Sequence, residues 1–161
     1  MAIEIERRFL IKNDNWKKFI TNRIFIEQGY LSKNLDDWII RIRFTGEDFK
    51  IALKKHIKGF TNFEFEYPIP TRDGEKIMSN LSNIIKKERF FLEVEKKSWI
   101  IDCFKGNNYP LEIAEIELFN EEEDLLLPSF ISEEITGLTH YSNFNLANNP
   151  FSEWKKTDNI F

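Results

Sequence analysis

At 161 residues, with a single cysteine and a formal net charge of −4, the chain excludes several classes of protein at once. Cys103 alone permits neither an intramolecular disulfide nor a CxxC metal site, the acidic balance argues against a broad nucleic-acid surface, and no apolar run approaches the roughly 20 residues of a membrane helix. The expectation is a cytoplasmic protein without signal peptide, one domain spanning residues 1–161, large enough to bury about two thirds of its unfolded-chain surface.

Residues 3–11 read as a strand. A period of two sets Ile3, Ile5, Phe9 and Ile11 on one face, with Arg7 as the exception, and Glu4, Glu6, Arg8 and Leu10 on the other. Two carboxylates and a guanidinium then stand side by side in steps of roughly 7 Å, which suits a divalent metal next to an anion. A solvated strand face of alternating charge fits the same stretch. The cluster at 13–15 caps a short helix carrying Trp16, Phe19 and Ile20. Strands follow at 24–31, 38–44, 49–54 and 62–67. They set Arg41 and Arg43, Lys50 and Lys54, and Glu64 and Glu66 against apolar partners on the opposite faces. His56, beside Lys54, Lys55 and Lys58, reads as part of a charged loop, either solvated or a lid. Pro68 and Pro70 close this half.

Ile77, Met78, Leu81, Ile84 and Ile85 make a helical stripe over 71–85. A sixth strand at 86–92 joins a seventh at 98–104 through a hairpin turn at 95–97. A Gly/Asn turn at 105–108 leads to an eighth strand at 110–119. An acidic turn at 121–124 and a helix over 123–130 precede a less regular tail.

The fold class is therefore α+β, mainly β: eight antiparallel strands with a few flanking helices. Hydrophobic residues at 42% and charged residues at 31% are reconciled by a barrel or a sandwich with one apolar and one charged side. In a closed barrel the apolar face is ordinarily the core; alternatively helices cover an apolar exterior and the charges line the lumen. Glu4, Glu6, Glu64, Glu66, Asp102, Glu115 and Glu117, with Arg8, Arg41, Arg43, Lys54, Lys87 and Arg89, are either solvated strand faces or, in the second arrangement, share one lumen. Buried charge of one sign is costly alone, and a polyanion together with divalent cations balances both sets. Clustered Arg and Lys suit phosphate oxygens, and paired carboxylates suit hard Mg²⁺ or Mn²⁺. The pattern points to metal-assisted phosphoryl transfer.

The same residues resemble the CYTH-domain proteins, the triphosphate tunnel metalloenzyme superfamily. The Glu-x-Glu-x-Lys signature is met by Glu4-Ile5-Glu6-Arg7-Arg8 with Arg in the Lys place. The likeness continues in order through Gln28-Gly29-Tyr30-Leu31, Arg41-Ile42-Arg43, Leu53-Lys54, Glu64-Phe65-Glu66, Lys87-Glu88-Arg89-Phe90, the run from Trp99 to Phe104, Glu115-Ile116-Glu117 and Tyr141-Ser142-Asn143. Each motif alone is common; their collinear order is what carries the resemblance.

The resemblance implies an eight-stranded tunnel binding a triphosphate with Mg²⁺ or Mn²⁺. Glu4, Glu6, Glu115 and Glu117, with Glu64 beside them, stand as metal ligands. Arg8, Arg41, Arg43, Lys54 and Arg89 stand as phosphate ligands. Lys87 is the candidate to orient the attacking water, with Glu66 and Asp102 in support. The implied activity is hydrolysis of inorganic triphosphate or another triphosphate-containing substrate. The alternatives are a class IV-type adenylyl cyclase and a non-catalytic phosphate- or nucleotide-binding module. The expected partner is a small phosphorylated substrate, with no nucleic acid or membrane, and the protein is a monomer or homodimer. Departures from the family pattern are Arg8, Asn62 in place of an Arg, Ile100 in place of an acid, and Thr139-His140 in place of Lys-Arg.

Overall fold

The strands close on themselves. In the computed structural model, which describes residues 2–34 and 36–154, nine strands lie in the order β5-β4-β3-β2-β6-β7-β8-β1-β9, and β5 also pairs with β1. Strands β1 (Ile3–Ile11), β2 (Ile20–Tyr30), β3 (Ile39–Phe44), β4 (Phe49–Lys58), β5 (Thr61–Ile69), β6 (Ile84–Val94), β7 (Lys97–Phe104) and β8 (Glu112–Glu117) form the expected antiparallel barrel. Closure is brief: among the described residues Ile3, Glu4 and Ile5 pair with Thr61–Phe63 of β5, and Glu64 N donates to Ala2 O at 2.8 Å. Beyond that point β9 (Ile131–Glu134) takes over the free edge of β1, opposite Phe9 and Ile11. Met1, Leu35 and residues 155–161, which the single-domain expectation includes, lie outside the described residues.

Two apolar cores follow from the alternation. Outward side chains of β1, β6, β7 and β8, including Phe9, Leu92, Trp99, Ile101 and Ile116, form the larger one. It is covered by Trp16 of a 3-10 helix at Asp14–Phe19 and by Phe130 and Ile131 of the returning chain. Burying each such side chain stabilises by about 1.5–3 kcal/mol. The second core is internal. Inward residues Ile85, Phe104 and Ile113 meet Leu146 of helix α2 (Asn143–Asn148) and plug one part of the lumen. Helix α1 (Thr71–Ser79) packs on β3 and β4 through Gly74, where an added Cβ would lie 2.1 Å from the Phe49 ring. Close approach explains a glycine inside a helix.

Several local expectations are corrected. α1 stops at Ser79, and Ile84 and Ile85 belong to β6, because a strand face buries them as well as a helical stripe. His56 is on β4 rather than in a loop, since the β4–β5 hairpin extends to Gly59, whose φ of +50° makes the turn. No helix forms over 123–130: Glu123 instead accepts from Phe119 N at 2.8 Å and pairs with Lys97. Glu95 and Lys96, with φ of 49° and 64°, close the two-residue β6–β7 hairpin. No helix among the described residues is long and apolar enough to cross a membrane.

Candidate active site

Because β1 alternates, Glu4, Glu6 and Arg8 point into the barrel while Arg7 points out and meets Glu134 of β9 at 2.7 Å. That pairing accounts for the one charge on the apolar face. Register then brings the inward charges together across strands. Arg8 stands opposite Glu115 and Glu6 opposite Glu117. Lys54 stands opposite Glu64, and Arg89 opposite Asp102.

The lumen holds two adjoining cavities of about 400 and 230 Å³, which share Glu6, Arg41, Lys54 and Asn143. Glu4, Glu64, Glu66 and Arg43, together with Arg89, Glu115 and Glu117, border the larger one. Arg8 borders the smaller. Lys87 and Asp102 border neither, and both are fully buried.

One group of charges is closed on itself. Arg89 grips Asp102 with a fork of 2.8 and 2.9 Å, and Lys87 Nζ donates to Asp102 Oδ2 at 2.7 Å. Glu115 joins it at 3.7 Å from Arg89 and 3.2 Å from Arg8. Burial, with Arg89 and Arg43 nearby, pushes the Lys87 ammonium down to about 7 despite the pull of Asp102. The two cations hold the Asp102 carboxyl far below the usual range, against its burial.

The acid group is open. Lys54 Nζ is shared by Glu4 at 2.5 Å, Glu6 at 3.6 Å and Glu64 at 3.7 Å. Glu117 faces Glu6 directly, and like charges opposite each other destabilise a sheet. Burial, then repulsion from Glu6, pushes Glu4 up to about 8. Burial and the neighbouring Glu6 and Glu64 also raise Glu117. As placed, no three His, Cys, Asp or Glu side chains among the described residues converge on one point as ligands. The donor set nonetheless fits a hard divalent cation: three carboxylates share one ammonium and a fourth, Glu117, faces Glu6, while Arg41 lies 3.5 Å from Glu64 and Arg8 and Arg89 act on Glu6 from farther off.

The basic side has donors to spare. Arg8 Nη2 and Arg41 Nε are buried without a hydrogen-bond partner. Arg43 Nε donates to the neutral Gln28 at 3.0 Å, and burial followed by repulsion from Arg41 and Arg89 lowers its guanidinium to about 9. A buried guanidinium with no carboxylate partner favours an anion beside it.

Asn62 lines the smaller cavity next to His56, whose Nδ1 lies 3.4 Å from the Asn62 Oδ1. His140 borders neither cavity and stacks on Tyr141 and Trp154, with ring centroids 4.5 and 5.2 Å away. Ile100 borders the larger cavity. Gln28 and Asn143 belong to the motifs that carry the resemblance, but neither is assigned to the site from sequence. Gln28 is a wholly buried polar residue amid the apolar residues of β2, a detectable signal. Asn143 starts a six-residue helix too short to show a period.

No family model matches the chain. It is 32% identical over 158 residues to an inorganic triphosphatase of Acetivibrio thermocellus, covering 97% of this chain and 100% of the relative. An inorganic triphosphatase of Nitrosomonas europaea is 26% identical over 148 residues, covering 89% of this chain and 96% of that one. The crystal structure of an inorganic triphosphatase superposes with a TM-score of 0.67 at 26% identity, over 91% of this chain and 95% of that one. A putative adenylyl cyclase from Hippeastrum, described as having a dominant triphosphatase activity, shares the fold at a TM-score of 0.56 and 15% identity, over 76% of this chain and 81% of that one. Identity of 32% over 97% of the chain to an inorganic triphosphatase, on a closed barrel of eight antiparallel strands, means that the chain belongs to the inorganic triphosphatases of the CYTH, or triphosphate tunnel metalloenzyme, superfamily.

Proposed function

We propose that this protein hydrolyses inorganic triphosphate to diphosphate and phosphate within its barrel, as a single domain and with Mg²⁺ or Mn²⁺. The observation that carries the reading is the division of the lumen. Glu4, Glu6 and Glu64 crowd around one lysine and Glu117 faces Glu6, while Arg8, Arg41 and Arg43 nearby have donor capacity that no carboxylate fills. A phosphate chain with a divalent cation answers both excesses.

In this mechanism Arg8, Arg41, Arg43 and Arg89 bind the phosphate oxygens and hold the chain in line, and forked guanidinium contacts fix its orientation. Glu4, Glu6, Glu64 and Glu117 hold the divalent cation, with Glu115 bridging toward the arginines. When bound, that ion neutralises charge on the phosphates and makes water more acidic. Asp102 keeps Arg89 aimed into the lumen, and Glu66, 3.2 Å from Arg41, does the same for Arg41. Lys87 lies behind the cavity wall and acts at one remove.

The test is to incubate the purified protein with triphosphate or ATP and Mg²⁺ or Mn²⁺, and to follow phosphate and cyclic AMP. Phosphate release from triphosphate is expected, and Glu4→Gln or Glu117→Gln should slow it by on the order of 10²-fold. Cyclic AMP as the product would favour a cyclase, and tight binding without turnover a non-catalytic module. Unchanged rates in both variants would remove the metal assignment.

A further inference from the structure

Asn143 has the position of a substrate ligand. It is the first residue of α2, whose N-terminus is capped by Ser142 accepting from Asn145 N at 3.2 Å. The helix is anchored by Leu146, which is fully buried in the internal core, and by Phe144, edge-on to Tyr30 with centroids 5.5 Å apart. So fixed, the Asn143 side chain enters the lumen and borders both cavities.

Its orientation is determined by chemistry. Lys87 Nζ lies 3.0 Å from Asn143 Oδ1 and 2.7 Å from Asp102. Lys87 Nζ donates to both Asp102 Oδ2 and Asn143 Oδ1, so the amide oxygen is the atom that faces it. The Asn143 Nδ2 then turns away from Lys87, and it forms no hydrogen bond to the protein among the described residues. It is a neutral two-proton donor beside a row of arginines. Arg8, whose Nη1 donates to Tyr141 O at 3.0 Å two residues earlier, ties the same stretch of backbone to the phosphate side of the lumen.

We infer that Asn143 is a specificity-determining ligand, donating from Nδ2 to a phosphate oxygen of the bound triphosphate, and that buried Lys87 is the positioning residue that keeps this donor aimed. The inference rests on the triphosphate reading of the site. It gives Lys87 a duty compatible with its exclusion from the cavity surface, which direct contact with the attacking water is not.

Asn143→Ala and Asn143→Asp separate this role from a purely structural one. Aspartate keeps an oxygen for Lys87 but replaces the donor with a negative acceptor; alanine removes both. Triphosphate is titrated calorimetrically into metal-free wild-type protein and both variants, and phosphate release is followed separately with Mn²⁺. Binding should weaken by about 10-fold in Asn143→Ala and by more in Asn143→Asp, although thermal unfolding of Asn143→Asp stays near wild type. Asn143→Asp binding as well as wild type while Asn143→Ala does not would make Asn143 a mere prop for Lys87 and overturn the inference. So would equal binding by all three proteins, or no binding by wild type. Absence of phosphate release from wild type, with the expected order of affinities intact, would instead overturn the triphosphatase reading alone.

Discussion

Two groups of buried charge lie a few strands apart in one lumen and behave in opposite ways. Around Asp102 every charge is answered: Arg89 by a two-pronged contact, Lys87 at 2.7 Å, and Glu115 by Arg8 and Arg89. Around Lys54 the count does not balance, because Glu4, Glu6 and Glu64 share one ammonium and Glu117 faces Glu6. The buried heart of the first group, Asp102 with Lys87, holds Arg89 in position. The second is destabilised by itself, which is the usual condition of a site awaiting an ion. Charge lining a tunnel is therefore not uniform, and the proposed cation site falls on its unbalanced part.

The strongest way to break this contrast is to unbalance the closed group. Asp102→Ala leaves Lys87 and Arg89 buried without their shared counter-ion and should cost about 3–5 kcal/mol in a urea unfolding experiment. A loss below ~1 kcal/mol would mean that the pair of cations is solvated and the contrast false.

The next effect is a pH dependence. Lys87 binds its proton with a pKa near 7 in the fold against 10.5 when unperturbed. Between those values the unfolded chain holds the extra proton, so Lys87 makes stability rise with pH across that window and adds no slope below it. Lys87→Met should remove this rise, on the order of 2 kcal/mol after allowing for Asp102; parallel stability curves for the two proteins from pH 7 to 10 would contradict it.

Glu4 sharpens the comparison with the opposite sign. Its folded pKa of about 8 exceeds the reference 4.5, so the folded protein holds the extra proton between them and stability falls as pH rises through that range. Metal-free Glu4→Gln should match wild type at pH 4.5 and exceed it by ~1 kcal/mol at pH 8.5, measured by thermal unfolding. A less stable variant at both values would show the acids to be comfortable as they are.

The eight barrel strands were legible because charges against apolar residues mark inside from outside at every second position, as in Arg41-Ile42-Arg43 and Glu64-Phe65-Glu66. The same alternation gave the lining residues, and register did the rest without any long-range signal in the sequence. Arg7 looked anomalous because its partner Glu134 belongs to a strand of only four residues, more than 120 positions away. Lys87 belonged by alternation to the lumen, yet Asn143 and Asp102 screen it from the cavity, and strand parity reports direction rather than depth. The expected helix at 123–130 failed for a local reason: Glu121 and Glu123 spend their carboxylates on Phe60 N, Thr61 and Phe119 N and tie the segment down as a loop.

If the crowded carboxylates form a divalent-cation site, they bind a metal with no phosphate present. Calorimetric titration of Mn²⁺ into metal-free wild-type, Glu6→Gln and Glu117→Gln proteins tests it most directly. Saturable binding by wild type, weakened at least about 10-fold in each variant, is the result expected; equal affinity in all three, or no binding by wild type, would contradict it.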